Sequence, residues 1–190
     1  MISFYNVCKS FKKDTVLKNL TFKIENGDFV IIEGHNGSGK TTIINLLLNL
    51  IDLDLNSGEI ENDFKSISYY PDRFNLPSLI KSSDFIYMYF DGLKSKVEIS
   101  NFLEKYNLEN KFICNLSKGN MLKIIIIKTL LEDSELYIFD EPLNGLDDLS
   151  KEVFLNDLKE KVEKKKTVIV VTHDKEFFKS SANKIITIGG

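Results

Sequence analysis

The chain has 190 residues, 43% hydrophobic and 28% charged, with a net charge of -3 and an isoelectric point near 5.5. This is an ordinary globular balance, long enough for one buried core, and it lacks the basic surplus that marks a nucleic-acid footprint. No stretch approaches the roughly 18 apolar residues of a membrane span, Met1 to Asn6 lacks the apolar run of a signal peptide, and Cys8 and Cys114 stand apart with no C-x-x-C or paired histidine, which argues against a disulfide scaffold or a zinc site.

In chain order, Ile2, Phe4, Val7, Val16, Leu17, Leu20, Phe22 and Ile24 alternate with polar residues between turn signals at Lys12-Lys13-Asp14 and Glu25-Asn26-Gly27-Asp28. This spacing predicts short antiparallel strands. An apolar strand, Phe29 to Ile32, then meets Gly34-His35-Asn36-Gly37-Ser38-Gly39-Lys40-Thr41, and a helical run follows from Thr42 to Leu50. After a break between Asp52 and Gly58, strands are predicted at Glu59-Ile60-Glu61 and Ile67 to Tyr70. The turns Pro71-Asp72-Arg73 and Pro77-Ser78 open a stretch of helical spacing from Leu79 to about Lys128, read as an inserted helical subdomain over roughly residues 73–128. Leu136 to Asp140, Ser150 to Lys165 and Thr167 to Thr172 then give the strand, helix, strand alternation of a parallel sheet. The lysine-rich run Lys161 to Lys166 is expected to be a solvated helix end, where cations suit the C-terminal dipole.

Residues 34–41 form a complete G-x-x-x-x-G-K-[ST] phosphate loop in its required strand-to-helix context. Gly34, Gly37 and Gly39 let the backbone approach phosphate oxygens with no Cβ in the way, and the helix beyond directs its first amides into the loop. Lys40 is the candidate for the β- and γ-phosphates, and Thr41 for magnesium; Asn36, Ser38 and Thr42 complete the candidate nucleotide-binding set. The loop predicts nucleotide binding without saying which NTPase this is. A second constellation, Leu136-Tyr137-Ile138-Phe139-Asp140-Glu141, is an apolar strand ending in two acids. In a phosphate-loop fold the first such carboxylate serves magnesium, and the next polarises the water that attacks the γ-phosphate.

With Leu116-Ser117-Lys118-Gly119-Asn120 upstream, Asn144-Gly145-Leu146-Asp147 just after, and His173 at the end of the next strand, the chain resembles the ATP-binding cassette (ABC) family along essentially its whole length. The resemblance implies an α/β phosphate-loop NTPase fold: a mainly parallel sheet core, an N-terminal antiparallel β-subdomain and an inserted helical subdomain, all in one domain over residues 1–190. It matches residues 34–41 to Walker A, 136–140 to Walker B, Glu141 to the catalytic glutamate, 116–120 to the signature, 144–147 to the D-loop and His173 to the switch histidine. Catalysis is thereby expected of Lys40, Glu141 and His173, with ATP and Mg2+ as cofactors and Thr41, Asp140 and Asp72 as the metal-side residues. Phe11 falls where the family places an aromatic against adenine; a plain strand or core aromatic is the other reading. Ser117 is expected to cap the helix after it and, with the Gly119 amide, to offer donors to the γ-phosphate bound by a second subunit. The family pairs head to tail, so a homodimer or paired cassette is implied, with Asp147 at the seam.

The chain departs from the family pattern at several positions. Lys118 and Asn120 replace a glycine and a glutamine of the signature, so Lys118 either takes an ordinary backbone conformation or leans its ammonium toward phosphate. Asp72 stands where glutamine is usual; it either reaches the metal or caps the helical subdomain. Leu143 replaces a small hydroxyl residue. The reading that results is the ATP-hydrolysing subunit of an ABC transporter, cytoplasmic and peripheral on the inner face of the cell membrane through a separate integral permease, with no nucleic-acid partner. The Ser-Lys-Gly signature favours an exporter of peptide, antibiotic or lipid. Phe85, Tyr87, Tyr89 and Phe90 form either the permease-docking surface or the subdomain's own core. A soluble, non-transport ABC ATPase of scaffold-assembly or regulatory type is the alternative.

Overall fold

The fold is that of a computed structural model describing residues 1–12, 14–55 and 57–189. Strands β1 (Ile2–Phe11) and β2 (Asp14–Ile24) form the N-terminal antiparallel pair, longer than the sequence suggests; Lys13, in the predicted turn between them, lies outside the described residues. Their register sets Phe4 opposite Phe22, whose rings stack at 4.4 Å, and β4 (Glu59–Asn62) adds on the other side of β1. The second sheet has five strands in the order β5-β6-β7-β3-β8, and every neighbouring pair is parallel. Its members are β3 (Phe29–Gly34), β5 (Ile67–Tyr70), β6 (Leu136–Asp140), β7 (Thr167–Val171) and β8 (Lys184–Ile188). The strands β6 and β7 are buried at every position, which is why they read as unbroken apolar runs rather than alternating ones.

Alternate residues of those runs feed two different cores. Val30, Ile32, Ile138, Ile169 and Val171 pack with α1 (Lys40–Leu47) and the antiparallel sheet. Ile31, Tyr137, Phe139, Val168 and Val170 pack with the helices on the opposite face. Those helices are α2 (Ser82–Tyr89), α3 (Lys96–Lys105), α4 (Lys118–Leu131) and α5 (Asp148–Glu163), with a short 3-10 turn at Ile113–Asn115.

Four details differ from expectation. The strand β8 has no counterpart in the sequence reading; it closes the sheet edge by pairing with β3, Gly34 opposite Ile188. The helix α1 stops at Leu47, where Asn49 takes a positive φ of 54°, rather than reaching Leu50. The helix α4 runs past Lys128 to Leu131, and Ile124, Ile126 and Ile127 are wholly buried in the central core, so it belongs to the sheet's packing as much as to the helical region. Within the lysine-rich run Lys164 and Lys165 are exposed as expected, but Lys161 is partly buried: its ammonium turns inward and donates to the Leu130 carbonyl (2.7 Å) and the Tyr137 hydroxyl (2.8 Å), capping the end of α4 instead of its own helix.

Candidate functional site

At the C-terminal end of β3 the chain turns through the phosphate loop into α1. Gly39, with φ of +100°, is the N-cap residue and supplies no side-chain cap, and the first turn of α1 has no acidic residue. The first amides of that helix are therefore free to bind an anion. A Cβ on Gly39 would lie 2.7 Å from Leu17 Cδ2, whereas one on Gly37 (φ +83°) would meet nothing within 4 Å. The loop is thus pressed against β2 on one side and open on the other, a cradle for phosphate oxygens. Lys40 arches back across it, donating to the carbonyls of Gly34 (2.7 Å) and His35 (3.1 Å). Ser38 Oγ is buried and, among the described residues, finds no hydrogen-bond partner.

The strand β6 delivers the two acids. Asp140 is 5% exposed, and its carboxyl is pushed up to about 6, first by burial and then by the nearby carboxylates of Asp72 and Glu141, with Lys40 opposing. Glu141 follows with a φ of +50°, a left-handed conformation that costs a non-glycine residue free energy, held by its amide donating to the Val171 carbonyl at 2.8 Å. Its carboxylate is fixed from the end of β7: His173 Nδ1 lies 2.9 Å from Glu141 Oε2, and the Thr172 hydroxyl donates to the same oxygen at 3.3 Å. These elements enclose a cleft of about 540 Å³ lined by Phe11, Asn36, Gly37, Gly39, Lys40, Thr41, Thr42, Asp72, Asp140, Glu141 and His173. Val16 and Asn144 also line it. Val16 went unnoticed in the sequence because a strand valine carries no chemical signal.

The residues fit a nucleotide with a divalent cation. The crowding of Asp72, Asp140 and Glu141 is relieved by a hard cation, and the hydroxyl of Thr41 adds an oxygen donor. Among the described residues no group of three or more acidic, histidine or cysteine side chains is placed to hold a metal ion by itself, so a cation here would be held together with the nucleotide. Bound there, magnesium supplies charge neutralisation to the phosphates.

Phe11, at the end of β1, is 45% exposed and lines the cleft, so it is not a core aromatic. Among the described residues Asp72 caps no helix, since the N-cap of α2 is Lys81, and it lines the cleft instead. Ser117 caps α4 as expected, accepting from the Asn120 amide at 3.3 Å and from its side chain at 3.1 Å. Lys118 opens that helix with ordinary backbone geometry, so the first of its two readings holds. Gly119 abuts the 144–147 loop: a Cβ there would lie 3.1 Å from the Gly145 carbonyl. Asp147 caps α5, accepting from the Ser150 amide at 2.8 Å, and pairs with Lys123 at 3.1 Å. The Ser150 amide, with the Ser150 hydroxyl and Lys123, pulls its carboxyl down to about 2. Ser117, Gly119 and Asp147 do not line the cleft. Leu143 is buried in the central core, a packing role.

The family model described as ABC transporter matches residues 17–144, a span that starts in β2, takes in the phosphate loop and ends beyond Glu141. The chain belongs to the ABC transporter family. It is 33% identical over 199 residues to the zinc import ATP-binding protein ZnuC of Rickettsia bellii (strain RML369-C), covering 100% of this chain and 83% of that one. It is 30% identical over 203 residues to the SkfA peptide export ATP-binding protein SkfE of Bacillus subtilis (strain 168), covering 99% and 85%. The solved dimer of the ATP-binding cassette MJ0796, in a post-hydrolysis state bound to ADP and Pi, superposes with a TM-score of 0.81 at 26% identity, over 99% of this chain and 94% of that one. The chain is an ATP-hydrolysing, ATP-binding subunit of an ABC transporter, from a family whose cassettes dimerise and pair with membrane permeases. Among the described residues no helix is long and apolar enough to cross a membrane.

Proposed function

We propose that this ABC cassette is one domain that hydrolyses ATP with magnesium as a head-to-tail homodimer, docked on a separately encoded membrane permease at the inner face of the cell membrane. The observation that carries the reading is the meeting of Lys40, Thr41, Asp140, Glu141 and His173 in one cleft, with Glu141 already bonded to His173. In this reading Phe11 stacks on adenine, Asn36 to Thr42 hold the phosphates, and Thr41, Asp140 and Asp72 face the metal. Glu141 polarises the attacking water, and His173 keeps its carboxylate in register. Ser117 and Gly119 lie outside that cleft, which supports their serving the nucleotide of a second copy, with Asp147 at the seam. Met88, Tyr89 and Leu93 are exposed at the end of α2 and just beyond, while Ile86 and Phe90 are buried. The aromatic stretch is therefore divided between core and surface, and the exposed part supports permease docking. We further propose export of a peptide, antibiotic or lipid, supported by the Ser117-Lys118-Gly119 signature and by the peptide-export relative. The zinc-import relative supports the opposite direction with similar identity. Magnesium-dependent turnover by the purified chain tests the reading: Lys40→Ala should abolish it, and Glu141→Gln should trap an ATP-bound dimer. Hydrolysis surviving Lys40→Ala refutes the site, and failure to copurify with an integral membrane protein refutes the transport role.

A further inference from the structure

Glu33 is the charged residue in the run Phe29-Val30-Ile31-Ile32-Glu33-Gly34, whose first four side chains are fully buried. It does not line the nucleotide cleft. Its carboxylate is engaged elsewhere: Oε1 accepts from Lys175 Nζ at 3.0 Å and from the Thr187 hydroxyl at 2.8 Å, and Oε2 lies 2.8 Å from the same ammonium. These bonds, the Lys175 one first, hold its carboxyl below the usual range.

Lys175 is two residues beyond His173, in a segment with neither helix nor strand between β7 and β8. Near His173 that segment is fixed on both sides to the same strand. The Thr172 amide donates to the Ile32 carbonyl at 3.1 Å, and Lys175 reaches Glu33. The His173 side chain itself is 60% exposed and bonds to Glu141, so packing alone does not hold it. The strand β3 also ends in the phosphate loop. Both anchors of the histidine thus sit on the strand that places the phosphate loop.

We propose that the Glu33–Lys175 ion pair, completed by Thr187, is a positioning device for His173: it ties the histidine's loop to the strand bearing the phosphate loop, so that imidazole and phosphate-binding amides keep a fixed spacing. This rests on the reading of His173 as a residue of the hydrolytic site. Lys175 and Glu33 are positioning residues and touch no reacting atom. With Lys175 37% and Glu33 17% exposed, the half-buried pair contributes modestly to folding, whereas a displacement of about 1 Å at a reacting centre costs up to roughly 100-fold in rate. The two roles therefore separate experimentally.

The test is a double-mutant cycle on magnesium-dependent ATP hydrolysis by the purified chain, read as kcat and KM together with the thermal midpoint. Lys175→Met and Glu33→Gln should each lower kcat by about tenfold or more, with KM and midpoint nearly unmoved. The double variant should be no worse than the poorer single one, since both remove the same contact. Exchanging the charges, Glu33→Lys with Lys175→Glu, should recover most of the loss. An unchanged kcat in Lys175→Met, a KM that rises as much as kcat falls, or additive losses would each overturn the proposal. His173→Ala is the control. If it retains full turnover, the reading of His173 fails and takes the proposal with it; if it is inactive while Lys175→Met is fully active, the positioning role alone fails.

Discussion

At the phosphate loop, glycines at positive φ and the ends of β3, β6 and β7 place Lys40, Asp140 and Glu141, whereas the helical region is joined to α5 by side chains. Tyr106 donates its hydroxyl to the buried Asp157 at 2.7 Å, and the Lys105 ammonium pairs with the same carboxylate. In the first region the backbone conformation is the device, and its cost is borne at the reacting end of the sheet. In the second, a buried polar cluster is the device, and it is worth what its hydrogen bonds are worth. Side-chain changes in the cleft that leave its backbone conformation in place should therefore alter turnover with little effect on stability, and changes at Asp157 should do the reverse.

The largest expected effect is at Glu141. Glu141→Gln should lower ATP turnover by about 100-fold or more with an unmoved thermal midpoint, measured as phosphate release and by calorimetry. Turnover near the parent level would end the distinction between the regions. Next, Asp157→Ala strands the Tyr106 hydroxyl and leaves the Lys105 ammonium with Glu160 at 3.6 Å as its remaining partner. It should cost about 2 kcal/mol in urea unfolding, while turnover per folded molecule stays within about twofold; a large loss of turnover would show that the latch also governs the cleft. Glu141→Gly probes the strain directly. Relief of a left-handed glutamate should raise stability by up to about 1 kcal/mol while hydrolysis is lost, a trade of stability for function. The smallest effect belongs to Asp147, on the boundary between the two regions. Its folded carboxyl lies at about 2, below the unfolded value near about 3.9. Its contribution is therefore present above about pH 4 and is lost as pH falls toward about 2. Asp147→Asn keeps the helix cap but should remove that part of the acid dependence, seen by comparing urea midpoints across this window. The effect is small because the side chain is 55% exposed.

Local order along the chain made the cleft's parts readable. The strand, loop and helix over 29–47 are contiguous, and their glycines and lysine carry meaning at fixed spacing. The apolar runs that became β6 and β7 announced buried parallel strands. Less was readable where a contact joins distant residues. Nothing local links Glu141 with His173, 32 residues apart. The inward turn of Lys161 depends on α4 ending beside α5, and a sequence of lysines at a helix end points to solvent instead. The edge strand β8 carries no motif, and its pairing partner β3 lies far upstream.

The order and spacing of residues already carried the resemblance to an ABC cassette that binds and hydrolyses nucleotide, because the phosphate loop and the acid-tipped strand are short, local and chemically specific, even though the signature departs at Lys118 and Asn120. Which of those groups share a cleft was settled by strand packing. Strand order β6-β7-β3 brings Glu141, His173 and the phosphate loop to neighbouring strand ends, while Ser117 and Asp147 serve as helix caps outside it. Chain spacing cannot encode that division, because parallel neighbours in a sheet are separated in sequence by the helices that connect them.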